Sequence, residues 1–243
     1  MDATMFQRGG PTFLELIGQA LSSTERGYDL LAPKFDLTPF RTPDLVLQPM
    51  ARAIGTPGSV NDALDLMCGT GAAMRWLRPL CRRRVVGIDF SAGMLEQAAR
   101  RLPSAPGTAR VEFVRGDVLD MTFNSEFDIA TCFSALGHIL KRDQSRLLEN
   151  VHRALRPGGR FVFPTSEAPS VASSWFWAAH AFNSVMRRRN AVKNPPFIMY
   201  YLTMLWPDVE SQLTRAGFDA EARRGLLPKP FDRMLLIVAT RRA

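Results

Sequence analysis

A chain of 243 residues with 46% hydrophobic and 22% charged residues can form one α/β domain with a substantial core, and no second domain is needed. Its three cysteines, Cys68, Cys81 and Cys132, are odd in number and form no Cys-x-x-Cys pair, which argues against a disulfide framework and a zinc site and leads us to expect a reducing, cytoplasmic setting. The net charge of +8, with arginine runs at 82–84, 187–189, 223–224 and 241–242, raises nucleic acid as a partner, but the runs are scattered and no aromatic-interleaved stripe accompanies them, so solvated surface is the expectation.

Met1 to Gly10 lacks the apolar core expected of a secretory leader. No run of about eighteen uncharged apolar residues occurs, so a membrane-spanning helix is not expected. Thr12 to Ser22 and Pro43 to Ile54 carry short amphipathic helix patterns, and both are expected to cover a ligand site.

Ala63 to Gly71, Ala-Leu-Asp-Leu-Met-Cys-Gly-Thr-Gly, reads as a buried strand ending in a turn that holds a nucleotide-like ligand. Gly69 and Gly71 permit angles and close approach that a Cβ would block, and Ala72 to Leu80 has helix-forming composition. After the apolar run Val85 to Ile88 stands Asp89, where a carboxylate accepts hydrogen bonds from ribose hydroxyls. Strand, glycine turn, helix, strand and acid is the order of a βαβ nucleotide site, while Met74 in place of a third glycine weakens a hydride-transfer reading.

Further strands are predicted at Phe218 to Arg223 and Arg233 to Thr240, with a helix at Pro207 to Ala216 that ends at Gly217. Glu167 to Trp206 is dense in large apolar groups, and helices are expected over about Ser170 to Arg189 and Phe197 to Leu205. An apolar chamber and a cap packed on its own core are level readings of this stretch. A third is contact of Trp175 to Val185 with a bilayer, with Arg187 to Arg189 on anionic lipid.

Asp65 followed by Cys68-Gly69-Thr70-Gly71 resembles motif I of the class I S-adenosylmethionine (AdoMet) methyltransferases, small-molecule branch, of ubiquinone/menaquinone and natural-product type. Val86 to Ser91 with Met94-Leu95, Val111 to Val118, Phe127 to Phe133 and Leu155 to Phe163 resemble the family's remaining landmarks, over about Asp62 to Thr165. The resemblance implies a Rossmann-like, mostly parallel seven-stranded sheet with an antiparallel last strand, N-terminal helices and a helical cap insertion after strand 5. It implies one methyltransferase domain over 1–243: an N-terminal cover 1–58, a core 59–166, a cap 167–206 and the end of the sheet 207–243.

AdoMet is the implied cofactor and S-adenosylhomocysteine the product, with no metal. Asp65, Gly69 and Gly71 would lie on the methionine side with Cys68 in a small-residue slot, Asp89 on the ribose, and Phe90, Met94, Gly116, Asp117 and Val118 about the adenine. Phe133 would end the fourth strand near the methyl group, and Tyr28, with Phe35, would be a lid contact or plain packing. Trp175, His180, Tyr200 and Tyr201 of the cap would meet the acceptor.

Methyl transfer from a sulfonium is an in-line displacement that positioning largely serves, and a hydroxyl or acidic carbon acceptor adds the need for a base. His138, directly after the fourth strand, is the candidate, with capping or packing as the even alternative; His180 ranks second. Asn194-Pro195-Pro196-Phe197 resembles the motif of amine-modifying methyltransferases, but that motif follows the fourth strand and this one stands beyond the fifth, so position argues against that reading. The expected function is methyl transfer to oxygen or carbon of a small, fairly apolar acceptor, quinone-like or a specialised metabolite. An RNA or protein methyltransferase, or a non-catalytic AdoMet-binding protein, are the alternatives, and the oligomeric state is open.

Overall fold

The computed structural model describes residues 8–133 and 135–242, so the readings that fall on Met1 to Gln7 and on Ser134 lie outside the described residues. Strands β1 (Val60–Leu66), β2 (Cys81–Asp89), β3 (Arg110–Arg115), β4 (Phe127–Thr131), β5 (Leu155–Ser166), β6 (Phe218–Arg223) and β7 (Met234–Arg241) form one sheet. Their order is β3-β2-β1-β4-β5-β7-β6. The first five pair in parallel, and β7 runs antiparallel to both β5 and β6, as expected.

Five consecutive buried residues end β1, the mark of a parallel strand covered on both faces. Leu64 and Leu66 point into a core with Phe127, Phe161, Phe163 and helices α6 (Gln144–Ala154) and α8 (Asp208–Arg215). Ala63, one residue out of phase, points into the opposite core with Val85, Ile129, Met50 of α3 (Asp44–Ile54), Met74 of α4 (Met74–Leu77) and Ala98 of α5 (Ala92–Arg101). Helices α1 (Phe13–Leu21) and α2 (Thr24–Leu31) precede the sheet, and α7 (Ser174–Val192) follows β5. Thr12 opens α1 with a reciprocal cap to Glu15, and Ser91 opens α5 by accepting from Met94 N at 3.2 Å.

Three expectations are corrected. The helix expected over Ala72 to Leu80 is the single turn α4 followed by a 3-10 turn at Arg78–Leu80, where Pro79 has no N–H to extend an α-helix. The second cap helix, Phe197 to Leu205, does not form: Leu202 and Met204 take φ of 58° and 51°. Two asparagines of α7 take the backbone groups such a helix would pair. Asn183 bonds the N–H and C=O of Tyr201, both at 2.9 Å, and Asn190 bonds those of Phe197 at 3.0 and 2.9 Å. Finally, α1 lines none of the clefts described below and turns Phe13, Leu14, Ile17 and Leu21 outward, while α2 reaches the site instead.

Several basic runs are tied into the fold. Buried Asp62, near the start of β1, pairs with Arg83, with Arg84 at 3.4 Å and with Arg156 at 2.9 Å. Arg84 also holds Glu112 and Glu126, and Arg156 holds Asp128 at 2.6 Å. Arg223 bonds the Ala53 carbonyl at 2.8 Å, and Arg242 pairs with Asp219 at 2.8 Å.

Candidate cofactor and acceptor site

The strand order reverses between β1 and β4, and at such a switch point the carboxyl ends of a parallel sheet open a crevice. Asp65 of β1 and Asp89 at the end of β2 line it, and both are buried. Asp65 accepts from Thr131 Oγ1 at 2.7 Å; Asp89 accepts from the backbone N–H of Gly69 and of Ser91, each at 2.9 Å. Neither carboxylate has an ion-pair partner among the described residues. Burial, which disfavours the charged form, pushes Asp65 up to about 7 and Asp89 up to about 6. A pair of buried carboxylates without a cation suits a ligand that brings positive charge and hydroxyl donors, as AdoMet does.

Gly69 and Gly71 carry φ of 53° and 79°. A Cβ on Gly71 would stand 2.8 Å from Leu102 and 3.2 Å from Ala98, so this glycine lets the turn pack onto α5. It borders a neighbouring cavity beside Arg75 and Arg101, not the cleft expected for it. Cys68 lines the cleft, and burial raises its thiol far above the reactive range.

The cleft encloses about 730 Å³, counting its open mouth, between Asp65, Asp89, Phe90, Met94 and Phe133 of the core and Tyr28, Phe35 and Leu47 of the N-terminal cover. A second cavity of about 650 Å³ holds Gly116, Asp117 and Val118 and shares Met67, Phe90 and His138 with the first. A third, of about 870 Å³, lies under the cap and brings together Trp175, Tyr200 and Tyr201 with Met199, Leu205 and Met234. Apart from His138, none of its described lining residues is ionisable at neutral pH. His180 is not among them: it is exposed on α7, its ring 4.3 Å from that of Phe176.

His138 lines all three cavities. A 3-10 turn at Leu136–His138 carries it past the end of β4. Nδ1 lies 2.5 Å from the Ile198 carbonyl oxygen, which can only accept, so Nδ1 bears the proton and Nε2 keeps its lone pair. The Tyr28 hydroxyl donates to that lone pair at 2.8 Å. Burial lowers the imidazole below its ordinary 6.5, with the Ile198 carbonyl opposing, and raises the Tyr28 phenol. The site therefore presents a neutral imidazole at physiological pH. Phe197, from the Asn-Pro-Pro-Phe stretch, stacks on Tyr28 with centroids 6.1 Å apart, which gives it a packing role.

Sequence reasoning passed over three contributors. Asp29 accepts from Ser91 Oγ at 2.6 Å and Gly93 N at 2.9 Å, fastening α2 to the first turn of α5. Thr70 of the glycine turn donates to Asp36 at 2.6 Å. Arg41 lines both the cleft and the neighbouring cavity, and bonds Asp44 at 3.1 Å. Asp29 and Asp36 each follow an aromatic residue named as a candidate lid contact, Tyr28 and Phe35, but no periodicity there told which side faces α5. Nothing in the sequence around Arg41 marked it.

The strand order, the antiparallel last strand, and acids at the ends of β1 and β2 around a glycine turn define a class I AdoMet-dependent methyltransferase. Residues 63–159 match the family described as "Methyltransferase domain". The chain is 33% identical to a demethylmenaquinone methyltransferase of Clavibacter sepedonicus over 67% of each chain. It is 36% identical to a 2-phytyl-1,4-naphtoquinone methyltransferase of Nostoc punctiforme over 46% of this chain and 49%, about half, of that one. Among solved structures, a DhpI–SAH complex superposes with a TM-score of 0.65 at 21% identity, covering 95% and 99% of the two chains. The N-methyltransferase NodS of Bradyrhizobium japonicum in complex with S-adenosyl-L-homocysteine gives 0.60 at 17% identity, covering 90% and 99%. The chain belongs to the methyltransferase family, and its cofactor is AdoMet.

Proposed function

We propose that the protein transfers the AdoMet methyl group to oxygen or carbon of a small, fairly apolar acceptor, a quinone-like compound or a specialised metabolite. One observation carries this: His138 stands where the carboxylate-lined cleft meets a chamber of aromatic and aliphatic side chains. The names of the curated relatives, which act on menaquinone- and naphthoquinone-type compounds, agree with it.

AdoMet supplies an activated methyl group on sulfur. On this reading Asp89 accepts from the ribose hydroxyls and Asp65 faces the ligand's positive charge. Phe90, Met94, Gly116, Asp117 and Val118 surround the adenine, and Gly69, Cys68 and Phe133 shape the cleft. Arg41 offers a guanidinium to a carboxylate. Tyr28 closes the cleft from α2 and holds the His138 lone pair; when an acceptor hydroxyl takes that place, Nε2 removes its proton. Trp175, Tyr200 and Tyr201 hold the acceptor's apolar body, excluding water. The chain then works as one methyltransferase domain, in which 1–58 and 167–206 cover a core completed by 207–243. The free state of Cys68, Cys81 and Cys132 suits a cytoplasmic setting.

Transfer of labelled methyl to a panel of hydroxyarenes, quinols, amines and an RNA oligonucleotide tests the reading. Label on a quinol or phenol supports it; label on amine or RNA alone, or on nothing, sinks it.

A further inference from the structure

Helix α1 is built inside out. Its buried residue is Gln19, whereas Phe13, Leu14, Ile17 and Leu21, which helical spacing puts on one side, are exposed, Leu14 at 77%. Helix α7 follows the same plan on a larger scale. Ala179, Asn183 and Met186 face inward, while Trp177, Ala181, Val185 and Val192 line the opposite, exposed side, Trp177 at 63% and Val192 at 81%.

The two helices meet at Arg189, whose guanidinium donates to the carbonyl oxygens of Ala20 at 3.0 Å and Ser22 at 2.7 Å. Arg188 stands in the outward row of α7 and Lys193 just beyond it; among the described residues neither has an ion-pair partner. No acidic residue occurs from Ser174 to Val192. Large apolar side chains exposed on two helices that are joined at Arg189, with Arg188 set among those of α7 and Lys193 at their end, mark a docking surface.

We propose that the outward faces of α1 and α7 dock on an anionic lipid bilayer. Charge selects that occupant. A second copy of this chain, which carries +8, would set the cations of α7 against their equivalents across a two-fold contact. A nucleic acid would leave Trp177, Val185 and the α1 row with no apolar partner. A bilayer with anionic headgroups satisfies both parts, taking the apolar rows to the acyl boundary and Arg188 and Lys193 to the phosphates. The docking surface stands independently of the acceptor assigned above.

Sedimentation with vesicles tests it. The full chain is expected to bind vesicles of phosphatidylglycerol and phosphatidylcholine, with a blue shift of tryptophan emission, and to bind pure phosphatidylcholine far more weakly. Trp177→Ser with Val185→Ser should lower the partition coefficient roughly tenfold. Arg188→Glu with Lys193→Glu should lower it roughly twentyfold on anionic vesicles and leave phosphatidylcholine binding unchanged. Circular dichroism checks that the variants are folded. If either is not, the wild-type chain decides alone, because its binding must fall steeply as salt rises. Absence of anionic-vesicle binding, indifference to both double variants, tighter binding of a single-stranded RNA oligonucleotide, or burial of the patch in a lipid-free dimer would overturn the proposal.

Discussion

The Tyr28 hydroxyl donates to Nε2 of His138 across 2.8 Å, joining helix α2 to the turn after β4 at the point where three cavities meet. The imidazole is thus pointed by a residue of the N-terminal cover, and the bond to its lone pair favours the neutral ring.

Turnover should therefore depend on a proton lost at His138. Burial depresses the imidazole below 6.5, so with AdoMet saturating, kcat/KM for the acceptor should fall as pH drops through that lowered value and be level above it. Tyr28→Phe removes a donor that favours the neutral ring, so the acid limb should move to higher pH. His138→Asn should cost roughly a hundredfold in kcat with AdoMet affinity retained. Full turnover of His138→Asn across neutral pH excludes general-base duty.

Cofactor binding should release protons. Burial pushes Asp65 up to about 7 and Asp89 up to about 6, and in the roles proposed for them both are ionised to face a cation and hydroxyl donors. Calorimetry at about pH 6.5 in two buffers of different ionisation heat should give different apparent enthalpies; equal values would refute the linkage.

The same carboxyl works against folding. Because its folded value exceeds the ordinary 3.8, the folded protein binds more protons than the unfolded chain between 3.8 and about 7, and the Asp65 contribution falls as pH rises through that window. Asp65→Asn should raise the Tm of the ligand-free protein at neutral pH while weakening AdoMet roughly tenfold. A lower Tm with unchanged affinity contradicts both halves.

Gly137 is a contact point between the His138 turn and the cap. Its carbonyl accepts from Tyr200 N at 2.9 Å, and a Cβ there would press directly on the Tyr200 carbonyl oxygen. Gly137→Ala should displace the cap segment from His138 and lower kcat by roughly tenfold to a hundredfold, with AdoMet affinity kept. Normal turnover would show that the segment does not position the acceptor.

At the other end of the sheet, Asp62 is buried among Arg83, Arg84 and Arg156. Asp62→Ala removes the shared carboxylate and its charged hydrogen bonds, while Arg84 and Arg156 keep other acidic partners, and should cost about 1.5 kcal/mol. Thermal unfolding should show this as a drop of roughly 3 to 6 °C, with AdoMet affinity unchanged.

The strands, the glycine turn and the acids at the ends of β1 and β2 were legible because each is local: a short apolar run, its punctuation, and the residue that follows. Burial on both sheet faces enforces those runs, so the pattern of Ala63 to Gly71 and Val85 to Asp89 carries the crevice with it. Partnerships across the chain were not legible. Tyr28 and His138 stand 110 residues apart, and nothing near either names the other. The stretch Phe197 to Leu205 has the composition of a helix, yet Asn183 and Asn190 offered its backbone better-placed partners, and tertiary hydrogen bonds overrode local preference. Sequence alone determined the cofactor fold, because its signals are written in neighbouring residues. Which side chains converge on the cleft was decided by packing, because their energy exists only once distant segments share one space.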